Sequence, residues 1–472
     1  MTEAPGPQPL GAFGMPAGML LLPEGIPEAV RDELVAGRLP EVWPTALELH
    51  RLVHEDRLDE ALSAAEGADP VSAYHRWLLD PSSAPAEQVR SALPPSLAPV
   101  VDVVRHSLGE AAAPRASDLG TQVRPEVRAL VVAAEASDAL DAGSAMEAAG
   151  LLLDAAAVAG DAAPAASAVL RGNAGLVAAD HGDLDLALPA LEEAVRALAG
   201  THLGAVRAQL LLRLGAIHQE TAAGATDPAP LLQRAIGCYY DGLQLVGEDT
   251  EPFLWASLTM NLATAHLAVP MRTASDQLRV GIATQGLRAS RRVFTAEAFP
   301  VQWSTATLNL ANALVYAPST HREDNLTEAV DLYEEVLVSG VRDRDPRGRA
   351  RLLANQGNAL AHLGAFADAR ARLVEARFVF EEHLDHDAVA SVRSVLDEIA
   401  RTEVKDPDAE LADLARQAEQ MSRMPRPEGD FTAGMGVSMM PAAAAGEGPP
   451  PRPTVTVVDA TTRPTERPEE GR

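Results

Sequence analysis

Between Ala298 and Gly340 the residues that would face one another across a helical hairpin are small. Ala311 and Ala313 stand in one apolar run, Asp324-Asn325 mark a polar break, and Ala329, Tyr333 and Val336 share one side of the run that follows. Two helices close into a hairpin only where the facing residues are small, and the hairpin then needs a neighbour to cover its remaining apolar face. The order recurs. The segment RLLANQGNALAHLGAFADARARLVEARFVF carries it in Gly357, Gly364, Ala369, Leu373 and Ala376, and an earlier copy has Gly175, Gly182, Ala187, Leu191 and Ala194. The small residues of successive first helices, Gly175, Gly215, Ala263, Ala311 and Gly357, stand 40, 48, 48 and 46 residues apart. A two-helix repeat of this kind has a usual period of roughly 34 residues, so extra residues are expected around 223–230, 269–277 and 317–324.

Composition agrees with tightly packed helices. Hydrophobic residues make up 47% of the 472 positions but aromatic residues only 4%, which is poor material for β-sandwiches. The expected fold is all-α, a helical-hairpin α-solenoid with disordered termini. Residues 1–22, rich in Pro and Gly, are expected to be unstructured, and 23–120 to form a helical cap or adjoining module. The repeat array is placed at 121–405, a C-terminal helix at 406–424 and a disordered Pro/Gly-rich tail at 425–472. Within the tail, PPPRP (449–453) and TVTVVD (454–459) have the form of short linear motifs.

Several functions are disfavoured. A formal charge of −28 argues against nucleic acid and against an anionic membrane surface. Cys238 is the single cysteine, so no internal disulfide or multi-cysteine metal site can form, and its place on a helical face suggests a small buried hydrophobe. Lys405 is the only lysine among 39 basic residues, which rules out a P-loop and suggests a GC-rich bacterial genome. G-x-S-x-G is missing as well. His50 with His54 and His383 with His386 have helical spacing, but no third ligand accompanies either pair, and surface or interface histidines are expected. No signal-peptide pattern or long apolar run occurs, so a cytoplasmic location is expected and neither metal nor cofactor is called for.

Six of the seven asparagines fall on proposed first helices: Asn173, Asn261, Asn309, Asn312, Asn355 and Asn358. In the second hairpin Arg213 takes the equivalent slot, and Arg171, Arg207 and Arg351 lie on or beside these helices. A carboxamide offers an acceptor and two donors, matching the needs of a peptide bond. Two readings stay open: the amides bond between neighbouring hairpins and set their spacing, or they hold the main chain of an extended peptide.

The stretch EAFPVQWSTATLNLANAL…NLTEAVDLYEEVL resembles the bacterial tetratricopeptide repeat arrays, with lengthened hairpins, that accompany caspase-like CHAT peptidase domains. The resemblance covers roughly 165–400. It implies a stacked-helix fold whose first helices line a concave protein-binding face, and it does not imply proteolysis, because no domain with a catalytic His–Cys pair follows. The expected function is therefore a non-enzymatic scaffold or adaptor that binds another protein's peptide segment. The alternative is a regulatory sensor whose helices close around a small peptide or metabolite.

Overall fold

The computed structural model describes residues 6–270, 277–317 and 321–403. The expected C-terminal helix and tail lie outside the described residues, as do parts of the insertions at 269–277 and 317–324. Among the described residues there are 19 α-helices and one two-stranded sheet, and the architecture is all-α, built of helical hairpins. The chain divides into two compact units, the first reaching residue 218 and including 241–246, the second taking 219–240 and everything described beyond 247.

The first unit begins with a correction. Residues 6–22, expected to be unstructured, are ordered: β1 (Gln8–Pro9) pairs antiparallel with β2 (Leu21–Leu22), and Leu10, Met19, Leu20, Leu21 and Leu22 are fully buried. The Pro and Gly content hid a run of apolar side chains that must leave water, which outweighs the loss of helix propensity. Short helices follow: α1 (Glu28–Val35), α2 (Glu48–His54), α3 (Leu58–Ala64), α4 (Pro70–Leu79), α5 (Ala86–Ala92) and α6 (Pro99–Ser107). Two longer hairpins come next, α7 (Pro125–Asp141) with α8 (Ala145–Ala159) and α9 (Pro164–Asp180) with α10 (Leu184–Ala197). The facing positions are as tight as their sequence requires. A Cβ added at Gly175 would lie 2.8 Å from Leu191 Cγ, and Ala187, Leu191 and Ala194 are fully buried.

The helices α11 (Gly204–Ala223) and α12 (Ala229–Leu243) span the division. In the second unit, α13 (Pro252–Ala268) packs on α14 (Gln277–Val293), α15 (Pro300–Tyr316) on α16 (Arg322–Val338), and α17 (Pro346–His362) on α18 (Phe366–Glu382), with α19 (His386–Glu403) covering the last pair. Each of the six helices α13–α18 has 17 residues. The first helices α7, α9, α13, α15 and α17 all begin on a proline, whose fixed φ suits the first turn and whose missing N–H is not needed there. The repeat positions Ala311, Ala329, Val336, Ala369 and Ala376 have no exposed surface, and Tyr333 and Leu373 have almost none.

Two turns show how the hairpins are closed. At Gly364 (φ 78°) the chain enters the left-handed region, and the Ala365 N–H reaches back to the Leu360 carbonyl. Between α18 and α19 the same bond runs from Asp385 N–H to Phe380 O, but the left-handed residue is Leu384 (φ 56°), a side chain poorly suited to it.

Candidate functional site

The asparagines stand on first helices as expected, but the helices do not all present them to solvent. Every residue of α15 from Trp303 to Val315 is buried, so the helix is enclosed along its length and exposed only at its ends, as at Val301 and Tyr316. A helix enclosed all round is a core element. Asn309 is 8% exposed, Asn312 4% and, on α17, Asn358 3%. Asn312 Oδ1 accepts from the Tyr333 hydroxyl at 2.6 Å and from Asn355 Nδ2 at 3.1 Å, so one oxygen joins α15, α16 and α17. Asn358 Nδ2 donates to the Tyr316 hydroxyl at 3.5 Å, while its Oδ1 has no partner among the described residues. Burial pushes both phenols above the usual tyrosine range, which keeps them protonated and able to donate.

Beside this network, Gln356 Nε2 donates to Glu334 Oε2 (2.9 Å), which also accepts from Arg372 (2.9 Å). Arg288 and Arg291 on α14 reach Glu328 and Glu335 on α16. Second helices of successive hairpins are thus tied by ion pairs about one repeat apart in sequence. These pairs are largely exposed and set register more than stability.

The other candidates keep part of their surface. Asn261 on α13 is half-buried and donates to the Ser257 carbonyl of its own helix at 2.8 Å. Asn173 on α9 is half-buried, with Nδ2 lacking a partner among the described residues. Arg213 on α11 is half-buried and pairs with Asp180 at 3.2 Å. Arg171 pairs with Glu193 (3.2 Å), and Arg207 donates to the Val195 carbonyl (3.0 Å). Asn173 and Arg213 belong to the first unit, Asn261, Asn309, Asn312, Asn355 and Asn358 to the second. Among these candidates, Asn355 and Asn312 are joined by a hydrogen bond. Cys238, expected to be buried, is half-buried on α12.

Sequence reasoning missed two features. The first is the pair of phenols. Tyr333 was legible as the large residue of its repeat, and a buried hydroxyl on that residue demands a partner, which Asn312 supplies. The second is a histidine cluster in the first unit. His50 and His54 on α2, expected at a surface or interface, lie under residues 6–22 with His75 of α4. His50 is 2% exposed, its ring is edge-on to His75 at 5.7 Å, and neither of its nitrogens has a partner among the described residues. His75 Nε2 accepts from the Leu21 N–H at 2.9 Å. Burial lowers His50 to about 3 and His75 to about 4, so both rings are neutral at pH 7. His54, between Phe13 and Trp43, is lowered to about 4 for the same reason.

No group of three or more metal-ligating side chains occurs among the described residues. Of the described helices, none is long and apolar enough to cross a membrane. The second helices do expose large apolar side chains: Leu278 and Ile282 on α14, and Val374 and Phe378 on α18, each pair one turn apart. No protein-family model matches the chain, and no curated protein matches it in sequence.

Proposed function

We propose that the protein is a non-enzymatic interaction scaffold, an adaptor that holds a segment of another protein against its stacked hairpins. The observation that carries this reading is the run of consecutive packed hairpins within each unit. Such stacks present long surfaces whose chemistry varies from one hairpin to the next. The resemblance of residues 165–400 to tetratricopeptide arrays supports the same reading. The candidates with surface left for a partner are Asn173 and Arg213 in the first unit and Asn261 and Asn355 in the second, whereas Asn309, Asn312 and Asn358 are buried, the last two bonded to a neighbouring hairpin. Phe378, 62% exposed, and Leu278, 71% exposed, add apolar surface on the second helices.

The test is affinity capture from the source cell, with partners identified and then reconstituted from purified components. Asn173→Ala with Asn261→Ala should weaken the reconstituted complex at least tenfold while circular dichroism stays unchanged. Equal affinity in that variant and in Phe378→Asp would remove both surfaces from the proposal.

A second reading, a sensor for a small peptide or metabolite, draws on Thr307 Oγ1, Gln356 Oε1 and Asn358 Oδ1, buried polar atoms without partners among the described residues. A low-molecular-weight extract that raises Tm in the wild type but not in Asn358→Leu would favour it. No shift in either protein would dismiss it.

A further inference from the structure

We infer that residues 6–22 form an acid-released strap, latched through His75 and lying over His50 and His54. The latch is the buried bond from the Leu21 N–H to His75 Nε2. That nitrogen accepts only while it carries no proton, and a protonated imidazole would set donor against donor. His50 adds to the effect. Its unpartnered ring lies edge-on to His75 under the strap, so a proton on either ring places a buried cation beside the other. His54 packs its ring on Phe13 of the strap at 4.7 Å.

The base of the strap is held differently. The buried guanidinium of Arg31 donates to the Gly6 carbonyl (3.3 Å) and to the Pro23 carbonyl (2.8 Å), clasping the two ends together. Arginine keeps its charge throughout the relevant pH range, so the strap opens as a loop between these two points. The remaining hold on the loop comes from Gln8, which accepts from Arg31 (3.1 Å) and Arg124 (3.3 Å) and donates to the Ala162 carbonyl (3.5 Å), from the Tyr74 hydroxyl on the Met19 carbonyl (3.0 Å), and from burial of Leu10 and Met19 to Leu22. Opening uncovers that apolar surface.

The groups facing the histidines are few. His50 and His54 face His75 and one another, His202 faces His54, and Asp69 faces His75. Asp69 and a backbone group of Leu21 favour the charged form of His75, and the same Leu21 backbone favours that of His50, but burial outweighs them. Because the folded values lie below that of a solvated histidine, the latch is at full strength above pH 6.5 and is lost as pH falls toward 4. Linkage gives a factor of roughly 20 for each of His50 and His75 between pH 7 and pH 5.

Hydrogen exchange on the full chain tests this, with rates normalised to the intrinsic rate at each pH. The amides of Leu20 to Leu22 should lose about 100-fold or more of their protection between pH 7 and pH 5, while those of α13–α18 hold theirs. His75→Gln, which keeps an uncharged acceptor, should cut that loss by roughly 20-fold, and His75→Phe should leave the Leu21 amide poorly protected already at pH 7. Strap protection that is unchanged at pH 5, or lost in step with α13–α18, would overturn the inference from the wild type alone.

Discussion

Beneath the strap, His50 is buried with both ring nitrogens unpartnered, whereas in the second unit one oxygen of Asn312 takes two hydrogen bonds. Both are polar side chains on helices, and both are almost fully enclosed. The difference is in what surrounds them. Hairpins of equal length bring Tyr333 and Asn355 to Asn312 from two neighbouring helices, so the donors arrive as a consequence of the repeat. The helices beneath the strap, α1 to α6, are short and unequal, and no periodic neighbour supplies a partner for His50. A matched polar group rigidifies its surroundings, while an unmatched one is a place where a change of pH acts.

This contrast can be broken at several points. Asn312→Leu should be the most damaging change, because it orphans the Tyr333 hydroxyl and the Asn355 amide together. A loss of about 2–4 kcal/mol is expected in urea denaturation, and a loss below ~1 kcal/mol would mean that the network does not hold the stack. Gly357→Ala comes next. Its new Cβ would lie 2.7 Å from Leu373 Cγ, and about 1–3 kcal/mol of overpacking should appear as a lower Tm. His50→Leu should act in the opposite direction, raising stability by about 1 kcal/mol at pH 7 and by more at pH 5, where the wild type has begun to bind protons on opening. A destabilised His50→Leu protein would show that the ring has a partner. The smallest effect is expected at Leu384→Gly. Relief of the left-handed strain at a side chain that is 73% exposed should contribute about 0.5–1 kcal/mol, measurable as a small rise in Tm.

Much of the second unit was legible in its residues. Small side chains at Ala311 and Gly357 and their partners Ala329 and Ala369 can be read from spacing alone, since a hairpin tolerates little else there. The asparagines were also correctly placed on first helices. Which face of those helices stays open depends on how closely successive hairpins approach, and that closeness is a property of the stack that no single repeat encodes. For this reason the enclosure of α15 could not be read from its pattern. The strap escaped for another reason. Its prolines and glycines signal irregular backbone, which is correct, but irregular backbone is ordered wherever enough apolar side chains leave water together.

The uniform 17-residue length of α13–α18 has a genetic consequence. Each of these helices is about 25 Å long, so a whole hairpin duplicated or excised by recombination would meet its new neighbours end to end without a step.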